Sequence, residues 1–150
     1  MIDMVIGPLQ GPDVWRGGEL QASGDWIVRL DAADITEIDT ALDVLKTRGT
    51  TIPFGQEDFP LDHLRGTIDR ASELVRNGCG VALLRGLPRD HYTKEECELI
   101  YWGIGSHLGT SVSQSPRGDL VGYVQDEGGV MGDANVRGYK TAGELQFHCD

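Results

Sequence analysis

Residues 143–150 read GELQFHCD, and His148 and Asp150 are separated by a single position. In an extended segment side chains alternate faces, so residues two apart point the same way. Glu144, Gln146, His148 and Asp150 then share one side, and Leu145, Phe147 and Cys149 share the other. One imidazole nitrogen and one carboxylate oxygen aimed at a common point make a donor pair that suits a borderline divalent metal such as Fe(II). A bare H-x-D is a weak signal, and the plain alternative is that His148 is a half-exposed strand residue. A glycine-rich stretch before it, the alternation and the apolar reverse face favour the metal reading.

Other groups fall around this pair. Gln146 and Glu144 lie on the ligand face and are candidates to line a pocket, with simple solvent exposure as the competing reading. Tyr123 and Gln125 share one face of the apolar-alternating run DLVGYVQD, residues 119–126, and are softer candidates. Between the two runs, EGGVMGDANVRGYKTAG has the glycine content of a hinged lid or of an ordinary loop. Arg137 and Tyr139 in it could meet an anionic substrate or serve in packing. His63, His91 and His107 precede the motif, in or beside helical segments, and read as surface or core histidines. Cys79, Cys97 and Cys149 are an odd, widely spaced set, which disfavours a disulfide framework and a CxxC zinc site; they read as reduced, mostly buried thiols.

Bulk properties narrow the function classes. The chain has 150 residues and a net charge of −11, from 24 acidic against 13 basic side chains. That surface repels phosphate backbones, so nucleic acid is not an expected partner. No run approaches the roughly 18 apolar residues of a membrane span. The N-terminal MIDMVIGPLQ lacks the basic and apolar regions of a secretion signal, so a cytoplasmic location is the default expectation.

The positioning elements can be read from caps and periodicity. Residues 7–25 are rich in Gly, Pro and Asp and predict turns and a short hairpin, with Trp15 packing on the core. WIVRL, 26–30, predicts a strand. Residues 31–49 predict a helix capped by Asp31 or Asp34 and ended by Gly49, with Ile35, Ile38, Leu42 and Leu45 on one face. Residues 60–78 predict a second amphipathic helix, with Leu61, Leu64, Ile68, Ala71 and Leu74 or Val75 inward and Gly78 at C′. CGVALLRGLP, 79–88, predicts a buried strand. Thr93 and Glu96 form a capping box that opens a helix ending at Gly109. Residues 119–126 and 144–150 predict strands. Helices first and strands late suggest an α+β fold.

Taken in order, GVALLRGLP, a capped helix ending in IGSHLG, QSPRGDLVGYVQD and RGYKTAGELQFHCD resemble the N-terminal half of the TauD/TfdA-like (taurine dioxygenase-like) oxygenases. The resemblance covers about residues 65–150 and, more weakly, the region before. It implies a double-stranded β-helix (jelly roll) with flanking helices, present here only in part, so that residues 1–150 are the N-terminal portion of a single oxygenase domain. It implies Fe(II) as cofactor and 2-oxoglutarate as cosubstrate, with O2 and a small organic substrate as partners, no nucleic acid, no membrane, and room for a homo-oligomer. His148 and Asp150 would be the first two iron ligands. Cys149 stands where the family often has Thr or Ser. A distal histidine and a 2-oxoglutarate-binding arginine belong to the pattern and are not found before Asp150, which leads to the expectation of a parent chain about twice as long. Two alternatives stay open: a catalytically inactive binding or structural module keeping half the fold, and a zinc hydrolase, which lacks any H-E-x-x-H support.

Overall fold

The computed structural model describes residues 7–113, 118–126 and 128. The chain divides into two compact units, Met1–Ser111 and Val112–Asp150.

Among the described residues of the first unit the elements run α1 (Gly17–Ser23), β1 (Ile27–Arg29), α2 (Ala32–Arg48), α3 (Arg65–Arg76), β2 (Leu83–Arg85) and α4 (Lys94–Leu108), with a 3-10 turn at Arg89–His91. The two strands pair in parallel, Ile27 opposite Leu83 and Arg29 opposite Arg85. Parallel strands need a long crossover, and α2 and α3 supply it. The pairing extends beyond the strands: Leu83 N–H donates to Trp26 O at 2.9 Å, and Leu30 N–H to Arg85 O at 2.8 Å.

Caps fix the helix limits. Asp31 Oδ1 accepts from the N–H groups of Ala33 and Asp34, and Asp34 Oδ2 accepts from Asp31 N–H, closing a reciprocal box at the start of α2. Gly49 ends it at φ 64°, a left-handed conformation that favours glycine. Thr93 and Glu96 close the same kind of box on α4. The second oxygen of Glu96 meets Lys46 Nζ at 2.6 Å, joining the start of α4 to the last turn of α2. That bond holds the Glu96 carboxyl below its ordinary range and lifts the Lys46 ammonium above its own.

Helix α3 is built differently. Its N-cap, Leu64, offers no capping side chain. Instead Glu37, on α2, accepts from His63 N–H at 2.9 Å and from Leu64 N–H at 2.8 Å. The orphan donors at this helix start are thus satisfied by a neighbouring helix.

The core is the meeting of three helices and one loop. Ile38, Ala41, Leu42 and Leu45 come from α2, Phe59, Leu61 and Leu64 from the segment before α3, Ile68 from α3 and Ile100 from α4. Phe54, Phe59 and Trp102 stack edge and tilt at centroid separations of 6.2 and 6.3 Å. Trp102 Nε1 donates to Phe54 O at 2.8 Å, so the buried indole has its partner. Gly103 faces the Phe59 ring so closely that a Cβ there would overlap it.

Several expectations differ from the structure in this unit. The run 79–88, expected as a buried strand, holds only the three-residue β2, with Leu83 38% exposed and no buried residue, and the helix expected over 60–78 spans only Arg65–Arg76. Residues 17–23 form a short helix where turns and a hairpin were expected, and it buries no residue. Trp15 is 39% exposed rather than packed on the core, and its indole N–H donates to Cys79 O at 2.7 Å. Val75 points to solvent at 52% exposure, leaving Leu74 as the inward member of that pair. No helix among the described residues is long and apolar enough to cross a membrane.

The described residues of the second unit have no regular secondary structure. Asp126 Oδ1 accepts from Gly128 N–H at 2.8 Å, a local turn contact.

Candidate functional site

His148 and Asp150, together with Glu144, Gln146, Arg137, Tyr139 and Cys149, lie outside the described residues. Tyr123 and Gln125 are described. Both are exposed and stand in irregular chain, not in the strand expected over 119–126. Alternation makes a strand only where a neighbour completes its ladder, and among the described residues none pairs with this run.

The remaining histidines fall into three environments. His91 is exposed at the end of the 3-10 turn. His107 is half-buried in the last turn of α4, and its Nε2 lies 2.8 Å from Phe59 O. A carbonyl only accepts, so Nε2 carries the proton, and Nδ1 is left buried with no hydrogen-bond partner among the described residues. Cys79 and Cys97 are free thiols, half-buried rather than buried.

His63 is the third case. Its ring is 56% exposed, yet Nε2 lies 3.8 Å from Asp31 Oδ1 and 3.8 Å from Asp34 Oδ1. The three side chains each present a potential ligand atom, all within 4.8 Å of one another. Three features of the fold place them. The capping box sets Asp31 and Asp34 on the first turn of α2. Glu37, one turn further on, grips the backbone of His63 and Leu64. The burial of Leu61 and Leu64 on either side pins the intervening chain.

The electrostatics of this corner are uneven. Asp31 is held below the usual carboxylate range, chiefly by the N–H of Asp34, then by that of Ala33, with His63 adding to both. Asp34 is 2% exposed, and its Oδ1 makes no hydrogen bond among the described residues. Reading the sequence as a surface-or-core choice for His63 missed this grouping. Asp31 and Asp34 were recognised as caps, but no spacing rule links a cap to a histidine beyond the end of the helix; only the fold does. An open groove along α2, lined by Thr40, Asp43, Val44, Thr47 and Arg48, has no buried polar group and offers no comparable arrangement.

No protein-family model matches the chain. Two curated proteins do. A protein of Streptomyces rubellomurinus named FR-33289 synthase is 30% identical over 152 aligned positions, which take in all of this chain and 45% of the relative. The taurine hydroxylase-like protein SAT17 of Stachybotrys chartarum is 26% identical over 159 positions, 97% of this chain and 40% of its own length. The chain therefore spans less than half the length of either relative. The first alignment includes residues 143–150. At the level these names carry, the chain is similar to enzymes, one of them described as hydroxylase-like.

Proposed function

We propose that the chain is the N-terminal portion of an Fe(II)- and 2-oxoglutarate-dependent dioxygenase that hydroxylates a small organic substrate, built on a jelly roll with flanking helices. The observation that carries this reading is the ordered motif series ending in His148 and Asp150, within a stretch aligned throughout to a synthase and, over nearly all its length, to a taurine hydroxylase-like protein. The donor chemistry supports it: one neutral imidazole and one carboxylate are two members of the 2-His-1-carboxylate set that non-haem Fe(II) takes. The iron, when bound, supplies O2 activation coupled to decarboxylation of 2-oxoglutarate.

The roles left to this chain are holding and placement. His148 would bind through a neutral ring nitrogen and Asp150 through a carboxylate oxygen. Gln146 and Glu144, two and four positions before His148, would share its face if the segment is extended and would then line the adjoining pocket. Gln146 can both donate and accept, which fits orienting a substrate polar group. Arg137 would contribute a cation for an anionic substrate, and Tyr123 and Gln125 are further lining candidates. The third iron ligand and the arginine for 2-oxoglutarate are expected in the part of the relatives' length that this chain does not span.

The test uses the full-length protein. Anaerobic addition of Fe(II) and 2-oxoglutarate should give the weak visible charge-transfer band of the chelate, and air should then release succinate. His148→Ala and Asp150→Ala should each abolish both signals. Persistence of the band in either variant would overturn the ligand assignment. A folded protein with neither band nor succinate would favour the inactive module.

A further inference from the structure

We infer that Asp31, Asp34 and His63 form a second metal site, selective for a borderline divalent cation of the zinc type, which ties the start of α2 to the chain entering α3. It uses none of the residues named for iron and stands independently of the oxygenase reading.

The donor set comes first. Each carboxylate spends one oxygen on the capping box: Asp31 Oδ1 takes two N–H groups and Asp34 Oδ2 takes one. Asp34 Oδ1, which faces His63, is not used by the cap; on Asp31 the oxygen nearest His63 is the cap acceptor Oδ1, and Oδ2 is left over for ligation. One imidazole nitrogen with two carboxylate oxygens is a mixed N/O set that suits zinc and its neighbours better than calcium or magnesium, which prefer oxygen alone.

Geometry comes second. At 3.8 Å, His63 Nε2 is too far from either carboxylate oxygen for a hydrogen bond. Two atoms bound to one zinc at about 2.0–2.2 Å each are separated by at most about 4.4 Å. The 3.8 Å from His63 Nε2 to Asp34 Oδ1 lies within that limit, while on the Asp31 side the 3.8 Å is measured to the cap oxygen Oδ1, so the exposed carboxylate must turn to present Oδ2. The exposed side chains of Asp31 and His63, 68% and 56%, have freedom to close any remaining misfit and leave positions for water.

The unused oxygen of Asp34 is the independent sign. A buried carboxylate oxygen without a donor is costly. Asp34 Oδ1 is such an atom, and it is turned toward His63. A cation between them satisfies it. Glu37 accepts one hydrogen bond from His63 N–H and one from Leu64 N–H, so the imidazole is delivered to the carboxylates whether or not an ion is present. That preorganisation limits the ordering cost of binding.

The experiment takes the full chain carrying His148→Ala and Asp150→Ala, which removes the iron pair from both arms. Zn(II) titration by calorimetry should show one equivalent bound, and Co(II) should give a visible d–d spectrum. His63→Asn, whose side chain is exposed and whose fold-holding N–H belongs to the backbone, should weaken Zn(II) binding tenfold or more and flatten the Co(II) spectrum. Asp34→Asn, close in shape, should do the same. Zn(II) should raise the unfolding temperature of the parent and not of His63→Asn. Absence of Zn(II) binding in the parent, or binding unchanged by His63→Asn, would overturn the inference.

Discussion

Gly103 and Gly105 lie two residues apart in α4, and the structure assigns opposite outcomes to replacing them with alanine. In a helix interior alanine is favoured over glycine by about 0.8–1.0 kcal/mol. Gly105 is exposed, with nothing within 4 Å of where a Cβ would stand. Gly105→Ala should therefore stabilise by about 0.5–1 kcal/mol. At Gly103 the new methyl would enter the ring of Phe59. That ring is fully buried and packed against Phe54, and the carbonyl of the same residue is engaged by His107, so it has nowhere to retreat. Overpacking a core costs about 1–3 kcal/mol, and an overlap this deep belongs at the upper end. Subtracting the helix-propensity gain leaves Gly103→Ala about 2 kcal/mol less stable. Urea denaturation followed by far-ultraviolet circular dichroism and by tryptophan fluorescence gives both numbers. Phe59→Leu in the Gly103→Ala background should recover part of the loss, giving a coupling of about 1 kcal/mol or more. If the two alanine variants move stability in the same direction, the packing of α4 on the Phe59 loop is wrong.

Tyr92 is buried and donates to Asp39 Oδ1 at 2.8 Å. Desolvation first, then Asp39, push its phenol up to about 12 from an ordinary 10. Folding thus favours the protonated form, so this stability is complete below pH 10 and declines as pH rises toward 12. Denaturation at pH 9 and at pH 11.5 should show the decline in the parent and a smaller one in Tyr92→Phe. Glu37→Ala removes the acceptor of two N–H groups at the start of α3 and should cost about 1–2 kcal/mol. Glu37→Gln, keeping one carbonyl, should lose less; hydrogen exchange at His63 and Leu64 will report whether these are the amides released.

Where elements carry their own punctuation, the sequence is sufficient. Asp31 with Gly49, and Thr93 with Glu96 and Gly109, delimit α2 and α4 in the structure as they do on the page. The apolar runs at 26–30 and 79–88 contain the two strands, shortened at both ends. What was not legible depends on partners. The parallel pairing of β1 with β2 joins runs more than fifty positions apart. Helix α1 has no apolar face and begins on two glycines, so periodicity gave it no signal. Residues 119–126 alternate as a strand does, yet alternation specifies a face and not a neighbour. The His63 corner is invisible for the same reason: Glu37 and the burial of Leu61 and Leu64 bring it to the carboxylates.

Helix α3 begins without a capping side chain of its own and relies on a carboxylate from α2. Cut out as a peptide, residues 60–78 would lose that carboxylate along with the apolar wall it leans on, and such a short segment would stay largely coil in water. Its helicity is then conditional: α3 is held at its origin only where α2 is wound. The two helices are thus coupled, and a lesion that frays α2 around Glu37 should loosen the first turn of α3 as well.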